Sequence, residues 1–334
     1  MRKVEIIAEI GVNHNGDVAL AKEMIDSAYE SGADIIKFQT FRADEVMTAE
    51  TPLADYMIDQ DSTSFLDLIK SLELANDVTL ELKDYTESLG AEFLSSPFDV
   101  SSVFFLQRAG LKRLKIASGE TVNPFVLKAA AHTGLDLIIS TGMCSIDEVG
   151  RALEILKENG SGTVTAMHCT TQYPAEVSQS NLRALLHIED EFGVPIGYSD
   201  HTPGIEVSLA AVALGSVVIE KHFTTDRSLP GPDQAASLMP EEFRSLVDGI
   251  RIVEKALGSG VKEPFPSELE IAKVARKSLV TKRSLQAGQS IEELDLTAKR
   301  PGTGIPALDL SKVIGRVLVR DLDEDVLLSY EDLR

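Results

Sequence analysis

Eight short apolar stretches run through residues 4–222, and each ends in polar residues able to do chemistry. They end at Ala8-Glu9, Lys37-Phe38-Gln39, Ser95-Ser96, Lys115 to Ser118, Ser140-Thr141, His168 to Thr170, Ser199-Asp200-His201 and Glu220 to His222. The gaps between them hold one helix or more each. Eight strand–helix units in this order predict an α/β fold, the (β/α)8 barrel, whose active site collects at the C-terminal strand ends. Strands rich in Val, Ile and Leu without strict alternation suit a parallel sheet covered by helices.

A barrel takes roughly 250 residues, so a chain of 334 leaves room for a small second domain. The barrel reading covers residues 1–258, a Gly- and Pro-containing linker 259–277, and a β-rich domain 278–334. Within the last, residues 278–281 and 317–319 look like short strands, separated by turns at Ala287-Gly288 and Pro301-Gly302. So small a domain has little core of its own and is expected to lean on another surface. The connection after the second strand, residues 41–63, is longer than barrel loops usually need, which marks it as functional.

A net charge of −21 disfavours nucleic acid and anionic membranes as partners. Two cysteines, Cys144 and Cys169, are too few for a disulfide framework or a Cys-rich zinc site. With no apolar run near the length of a membrane span, and an N-terminus that moves at once into a strand pattern, the expected location is the cytoplasm.

His201 and His222 end adjacent strands. They can converge on a divalent cation with positions left for water and substrate, or each can be hydrogen-bonded into its own loop. Glu9 and Glu120 follow strands one and four; a carboxylate there can position water, move a proton or hold a hydroxyl, or pair with a lysine. Lys37 and Lys115 point toward the barrel mouth. Such a lysine is usually a Schiff-base nucleophile or an anion ligand, and the nearby hydroxyls of Ser96, Ser118, Ser140 and Ser199 favour the anion. His132 and His187 fall on helices and are read as surface residues, while His14 and His168 sit near the rim with no assigned role. Gly231-Pro232-Asp233 presents a carboxylate on a rigid turn, and Lys299-Arg300-Pro301-Gly302 is a basic turn in the small domain.

Taken in order, these segments resemble the sialic acid synthase family. The carriers are EIGVNHNG at residues 9–16, KFQTF at 37–41, SSPF at 95–98, KIASGE at 115–120 and STGM at 140–143. HCTTQYP at 168–174, GYSDHT at 197–202, EKHFT at 220–224, PGPD at 230–233 and KRPGTGI at 299–305 complete the series. The tail resembles the antifreeze-like (SAF) domain of the same family. The resemblance implies condensation of phosphoenolpyruvate with an N-acylated mannosamine-type sugar and water, with phosphate released by C–O cleavage. It implies a divalent cation, manganese or magnesium, on His201 and His222. Lys37, Lys115, Ser118, Ser140, Ser199 and Ser96 then fall to phosphoenolpyruvate, and Gln39, Tyr173, Glu9, Glu120 and Asp233 to the sugar and the water. Arg300 matches an arginine that reaches the sugar's acyl group from the partner subunit of a domain-swapped homodimer.

The chain departs from the family pattern at Thr171, where several relatives have asparagine, at Gln234, often histidine, and at Ala117. N-acetylmannosamine, giving N-acetylneuraminate, is the expected sugar. The alternative is 2,4-diacetamido-2,4,6-trideoxymannose, giving legionaminate, with the loop 42–64 expected to read the difference. A Schiff-base aldolase using Lys115 and a non-catalytic carbohydrate-binding protein are the rival readings. The second predicts a His, Lys or Glu missing from the rim, and none is missing.

Overall fold

The computed structural model describes residues 3–48 and 65–334, so most of the expected sugar-reading loop, residues 49–64, lies outside the described residues. The chain divides into two compact units, Met1–Ser259 and Gly260–Arg334.

The first unit is a (β/α)8 barrel. Its strands are β1 (Glu5–Gly11), β2 (Ile35–Thr40), β3 (Glu92–Pro97), β4 (Arg113–Ile116), β5 (Asp136–Ser140), β6 (Val164–Cys169), β7 (Ile196–Asp200) and β8 (Val218–His222). They pair in parallel in the order β3-β2-β1-β8-β7-β6-β5-β4, and β3 packs beside β4 to close the ring. Helix α1 (Val18–Glu30) follows β1; α2 (Ala43–Val46), α3 (Phe65–Leu72) and α4 (Asn76–Leu89) lie between β2 and β3. The later crossovers use α5 (Val100–Arg108), α6 (Pro124–His132), α7 (Ile146–Glu158), α8 (Arg183–Phe192) and α9 (Glu206–Ala213), before α10 (Pro240–Leu257) follows β8. Local chemistry starts these helices: Asp17, Asp99 and Asn123 each accept backbone N–H groups as N-caps, and Ser145 with Glu148 forms a capping box ahead of α7.

Strand alternation sorts the barrel interior into layers. At the base, Arg113 donates to Glu5 and Glu92 at 2.8 and 2.7 Å. Above it Ile7, Ile35, Leu94, Ile138, Met167 and Val218 form an apolar plug. Gly197 completes that level, since a Cβ there would lie 2.4 Å from Val218 Cγ1. Two residues further along every strand but β6, which presents Cys169, the side chains turn polar: Glu9, Lys37, Ser96, Ser140, Ser199 and Glu220, with Lys115 two beyond Arg113. A period of two on the barrel's inner face therefore carries the apolar floor directly into the polar mouth.

The second unit has its own core, around Leu279, Leu285, Ile291, Ile305, Leu318 and Leu328. It corrects the sequence reading twice. Part of the expected linker is a helix, α11 (Pro266–Ala275), begun by Pro at its first turn. Residues 317–319 form isolated bridges, Val317 with Ser290 and Leu318 with Leu333; the strand that pairs with β9 (Ser278–Thr281) is β10 (Leu296–Lys299). A lone three-residue apolar run has no periodicity long enough to identify its partner.

Candidate active site

At the mouth of the barrel lies a cavity of about 210 Å³, lined by Glu9, Lys37, Gln39, Ser96, Lys115, Ser118, Ser140, Tyr173, Ser199, His201, Glu220, His222 and Asp233. Every expected site residue of the first unit except Glu120 is on that wall. A larger cavity, about 440 Å³, lies outside β5 and β6 but its walls carry no lysine, arginine or carboxylate. Of these two cavities, the smaller is the one in which charged groups converge.

The two lysines are buried and held by acceptors. Lys37 Nζ is 2.7 Å from Glu9 Oε2 and donates to Ser96 Oγ at 3.1 Å. Lys115 Nζ donates to Ser140 Oγ at 2.7 Å and lies 3.3 Å from both oxygens of Glu220. Ser199 donates to Glu220 at 3.1 Å, and Glu220 Oε2 reaches Lys37 at 3.8 Å. Glu220 thus links both ammonium groups, a position the sequence reading did not assign. The signal was present, because Glu220 stands two residues before His222 and two after the interior Val218.

Two carboxylates share this pair of cations, and their proton affinities separate. Burial pushes Glu9 up to about 7, only partly offset by Lys37 and reinforced by Glu220. Glu220 is also buried, but Lys115 and Lys37 outweigh this and bring it down to about 2. Lys37 stays protonated despite burial because Glu220 and Glu9 flank it. Lys115 moves below the usual lysine range, through burial first, against the pull of Glu220.

His201 and His222 stand on neighbouring strand ends with ring centroids 5.4 Å apart, and Tyr173 packs on His201 at 4.2 Å. His201 Nδ1 lies 2.7 Å from the Thr170 carbonyl, so it carries the proton and leaves Nε2 unprotonated, 3.5 Å from Ser199 Oγ. His222 Nδ1 is buried without a hydrogen bond among the described residues and faces Asp233 Oδ2 at 3.8 Å. Burial lowers the basicity of both imidazoles, His222 most strongly, and keeps them neutral as ligands must be. These are donors suited to a divalent cation. Among the described residues no three His, Cys, Asp or Glu side chains are grouped to hold a metal ion.

Gln39 donates to Glu9 at 3.1 Å, and burial raises the Asp233 carboxyl to about 6. Ser118 accepts the Gly142 N–H at 3.1 Å. Gly142 is required there: a Cβ would sit 2.2 Å from Thr171 Oγ1 and 2.7 Å from Ser118 Oγ. Thr171 itself lines the cavity, its buried Oγ1 without a partner among the described residues. Glu120 stands apart, bonded to Asn123 at 2.6 Å in an adjoining cavity. Its short 3-10 turn, Glu120–Val122, begins beyond the strand end and carries it off the barrel axis.

His14, Gln234 and His168 serve the frame. Buried His14 accepts the Gly16 N–H at 3.0 Å, Gln234 bridges Thr224 and the Asn13 carbonyl, and His168 meets the Ser180 carbonyl. His132 and His187 are exposed on α6 and α8. Arg300 belongs to the second unit, where its Nε donates to the Ala275 carbonyl at 2.9 Å.

The NeuB family profile matches residues 24–262, and the SAF domain profile residues 276–334. The chain belongs to the NeuB family. It is 45 % identical over 334 residues to the N,N'-diacetyllegionaminic acid synthase of Legionella pneumophila, covering 98 % of this chain and 94 % of that one. The N,N'-diacetyllegionaminic acid synthase of Campylobacter jejuni is 43 % identical, with 98 % and 99 % covered. The crystal structure of N-acetylneuraminic acid (sialic acid) synthetase from Leptospira borgpetersenii, in complex with citrate, superimposes with a TM-score of 0.73 at 38 % identity, covering 81 % of this chain and 90 % of that one. This NeuB-family chain is therefore an enzyme of the condensing synthase type, and the sialic and legionaminic readings both lie within its family. Among the described residues no helix is long and apolar enough to cross a membrane.

Proposed function

We propose that this NeuB-family enzyme condenses phosphoenolpyruvate with an open-chain N-acylated mannosamine-type sugar and water, giving a nonulosonic acid and phosphate. The observation that carries this is the juxtaposition of two buried lysines, each on a serine hydroxyl, with two neutral histidines at one mouth. One half suits a small polyanion, the other a carbonyl oxygen.

His201 and His222 would hold a divalent cation, manganese or magnesium, which would supply Lewis-acid polarisation of the sugar aldehyde when bound. Lys37 and Lys115 offset the charge of the phosphoenolpyruvate carboxylate and phosphate, and Ser96, Ser118, Ser140, Ser199 and the unpartnered Thr171 hydroxyl orient them. Carbon 3 of phosphoenolpyruvate bonds to the aldehyde carbon, whose oxygen takes a proton. Water adds at carbon 2, and the resulting tetrahedral centre expels phosphate as its C–O bond breaks. Glu9, with its proton affinity near neutrality and its place in the chamber, positions that water and takes its proton. Holding both substrates in one chamber removes much of the cost of a bimolecular step. Gln39, Tyr173 and Asp233 border the sugar.

Relatives at 45 % and 43 % identity named N,N'-diacetyllegionaminic acid synthases favour the 2,4-diacetamido sugar over N-acetylmannosamine. A homodimer in which Arg300 of one subunit reaches the sugar's acyl group in the other accounts for the basic turn of the second unit. The test is phosphate release with a divalent cation, phosphoenolpyruvate labelled with 18O at its bridging oxygen, and each sugar in turn. Labelled phosphate that appears only when a sugar is present supports the reading. Unlabelled phosphate, or release independent of sugar, overturns it.

A further inference from the structure

The loop between β8 and α10, residues 223–239, carries Asp233 beside a short 3-10 turn, Gln234–Ala236. Asp233 lines the reaction chamber, with Oδ2 3.8 Å from His222 Nδ1. What fixes this loop comes from the other end of the barrel sequence. The β1 motif EIGVNHNG gives Glu9 to the chamber, while its two asparagines reach the β8 loop.

Asn13 is fully buried and binds both feet of the loop. Its Nδ2 donates to the Phe223 carbonyl and to Ser237 Oγ, each at 2.9 Å. Ser237, equally buried, donates in turn to the Asp233 carbonyl at 2.7 Å. Gln234 Nε2 donates back to the Asn13 carbonyl at 2.8 Å, while its Oε1 accepts from Thr224. Nearer the tip, Asn15 Nδ2 donates to the Pro230 carbonyl at 2.7 Å. The β1 motif therefore clamps the loop on both sides of Asp233.

Apolar packing can hold a loop down, but it sets no single carbonyl. Hydrogen bonds are directional, and the one from Ser237 ends on the backbone of Asp233 itself. Asn13, Asn15 and Ser237 are not among the residues lining the chamber, so they reach the reaction only through what they hold.

Resting on the synthase reading above, we propose that Asn13 and Ser237, with Asn15 nearer the tip, are positioning residues that set the backbone of Asp233 so that its carboxyl meets the sugar beside His222. One motif then places two carboxyls of the chamber, Glu9 directly and Asp233 through the clamp.

The test uses Ser237→Ala in the full chain, which removes the relay hydroxyl. If circular dichroism shows that it does not fold, Asn15→Asp carries the test: that site is half-buried, and aspartate tolerates its φ of 51°. Hydrogen exchange of residues 225–236 should quicken several-fold while α10 stays protected. With whichever of N-acetylmannosamine and 2,4-diacetamido-2,4,6-trideoxymannose supports phosphate release, kcat/KM for the sugar should fall by about 10- to 100-fold, as a misplacement of about 1 Å can do. The KM for phosphoenolpyruvate should not move. In an Asp233→Asn background the same substitution should cost nothing further; if that background does not turn over, its sugar dissociation constant by calorimetry replaces kcat/KM. Unchanged exchange, an unchanged sugar kcat/KM in a folded variant, or an equal loss in the Asp233→Asn background overturns the assignment and leaves the synthase reading intact. Turnover of neither sugar by the parent defeats both.

Discussion

Asp200 and Lys221 form an ion pair of 2.9 Å whose side chains are wholly shielded from solvent, on the residues that immediately precede His201 and His222. Strand alternation turns this pair outward as the histidines turn inward, so it ties β7 to β8 behind the two imidazoles. Asp200 is further fixed by the hydroxyls of Thr202 and Ser208, at 2.7 and 2.6 Å, and Lys221 by the Thr202 carbonyl. Removing one partner leaves a buried charge uncompensated. Lys221→Met is expected to cost about 3–5 kcal/mol, read from urea unfolding, whereas replacing both residues by apolar ones should cost less. A single variant as stable as the parent would show that the pair does not brace the strands.

Lys115 sits at 3.3 Å from Glu220 and 2.7 Å from Ser140, below the usual lysine range through burial. A lowered lysine is also what imine chemistry uses, so the distinction is experimental. Lys115→Ala should raise the KM for phosphoenolpyruvate at least tenfold and slow turnover, about 1.4 kcal/mol or more of lost binding. Borohydride with either substrate should leave the mass of the protein unchanged; an adduct on Lys115 would establish the aldolase instead.

His222→Ala should abolish both turnover and tight manganese binding, measured by calorimetry, while leaving the circular dichroism spectrum intact. Chelation of the parent should remove activity, and manganese should restore it. Undiminished activity in rigorously metal-free protein would exclude the role proposed for the two histidines.

Burial lowers His14 to about 4 from an ordinary 6.5. A histidine depressed in the folded state contributes stability above its unfolded value and loses it as pH falls through the folded one. The window is therefore pH 6.5 to 4, and the full effect is about 3 kcal/mol. The unfolding midpoint of the parent should fall more steeply across this window than that of His14→Gln. Parallel pH curves for the two proteins would mean that His14 does not titrate on unfolding.

Arg300→Ala should weaken sugar binding more than phosphoenolpyruvate binding, the guanidinium fork being suited to an acyl oxygen and a hydroxyl together. Mixed with His222→Ala, it should recover activity, since a heterodimer holds one site with both residues intact. Verified heterodimers without activity would place Arg300 outside the partner's site.

The sequence by itself determined the barrel and most of its mouth. Alternation along a strand is a local property, so Ile7 to Glu9, Ile35 to Lys37 and Ile138 to Ser140 could be read as floor and rim without any coordinates. The same rule covers Glu220, two residues after the interior Val218. Only the tertiary structure decided which rim groups meet. Glu9 and Glu120 look equivalent along the chain, yet one pairs with Lys37 and the other turns into the adjoining cavity, because the path of a backbone beyond a strand end depends on the packing of the next element. The same holds for proton affinities: Glu9 near 7 and Glu220 near 2 follow from burial and from distances to two lysines on other strands, and such distances are set by barrel closure, which no local pattern encodes.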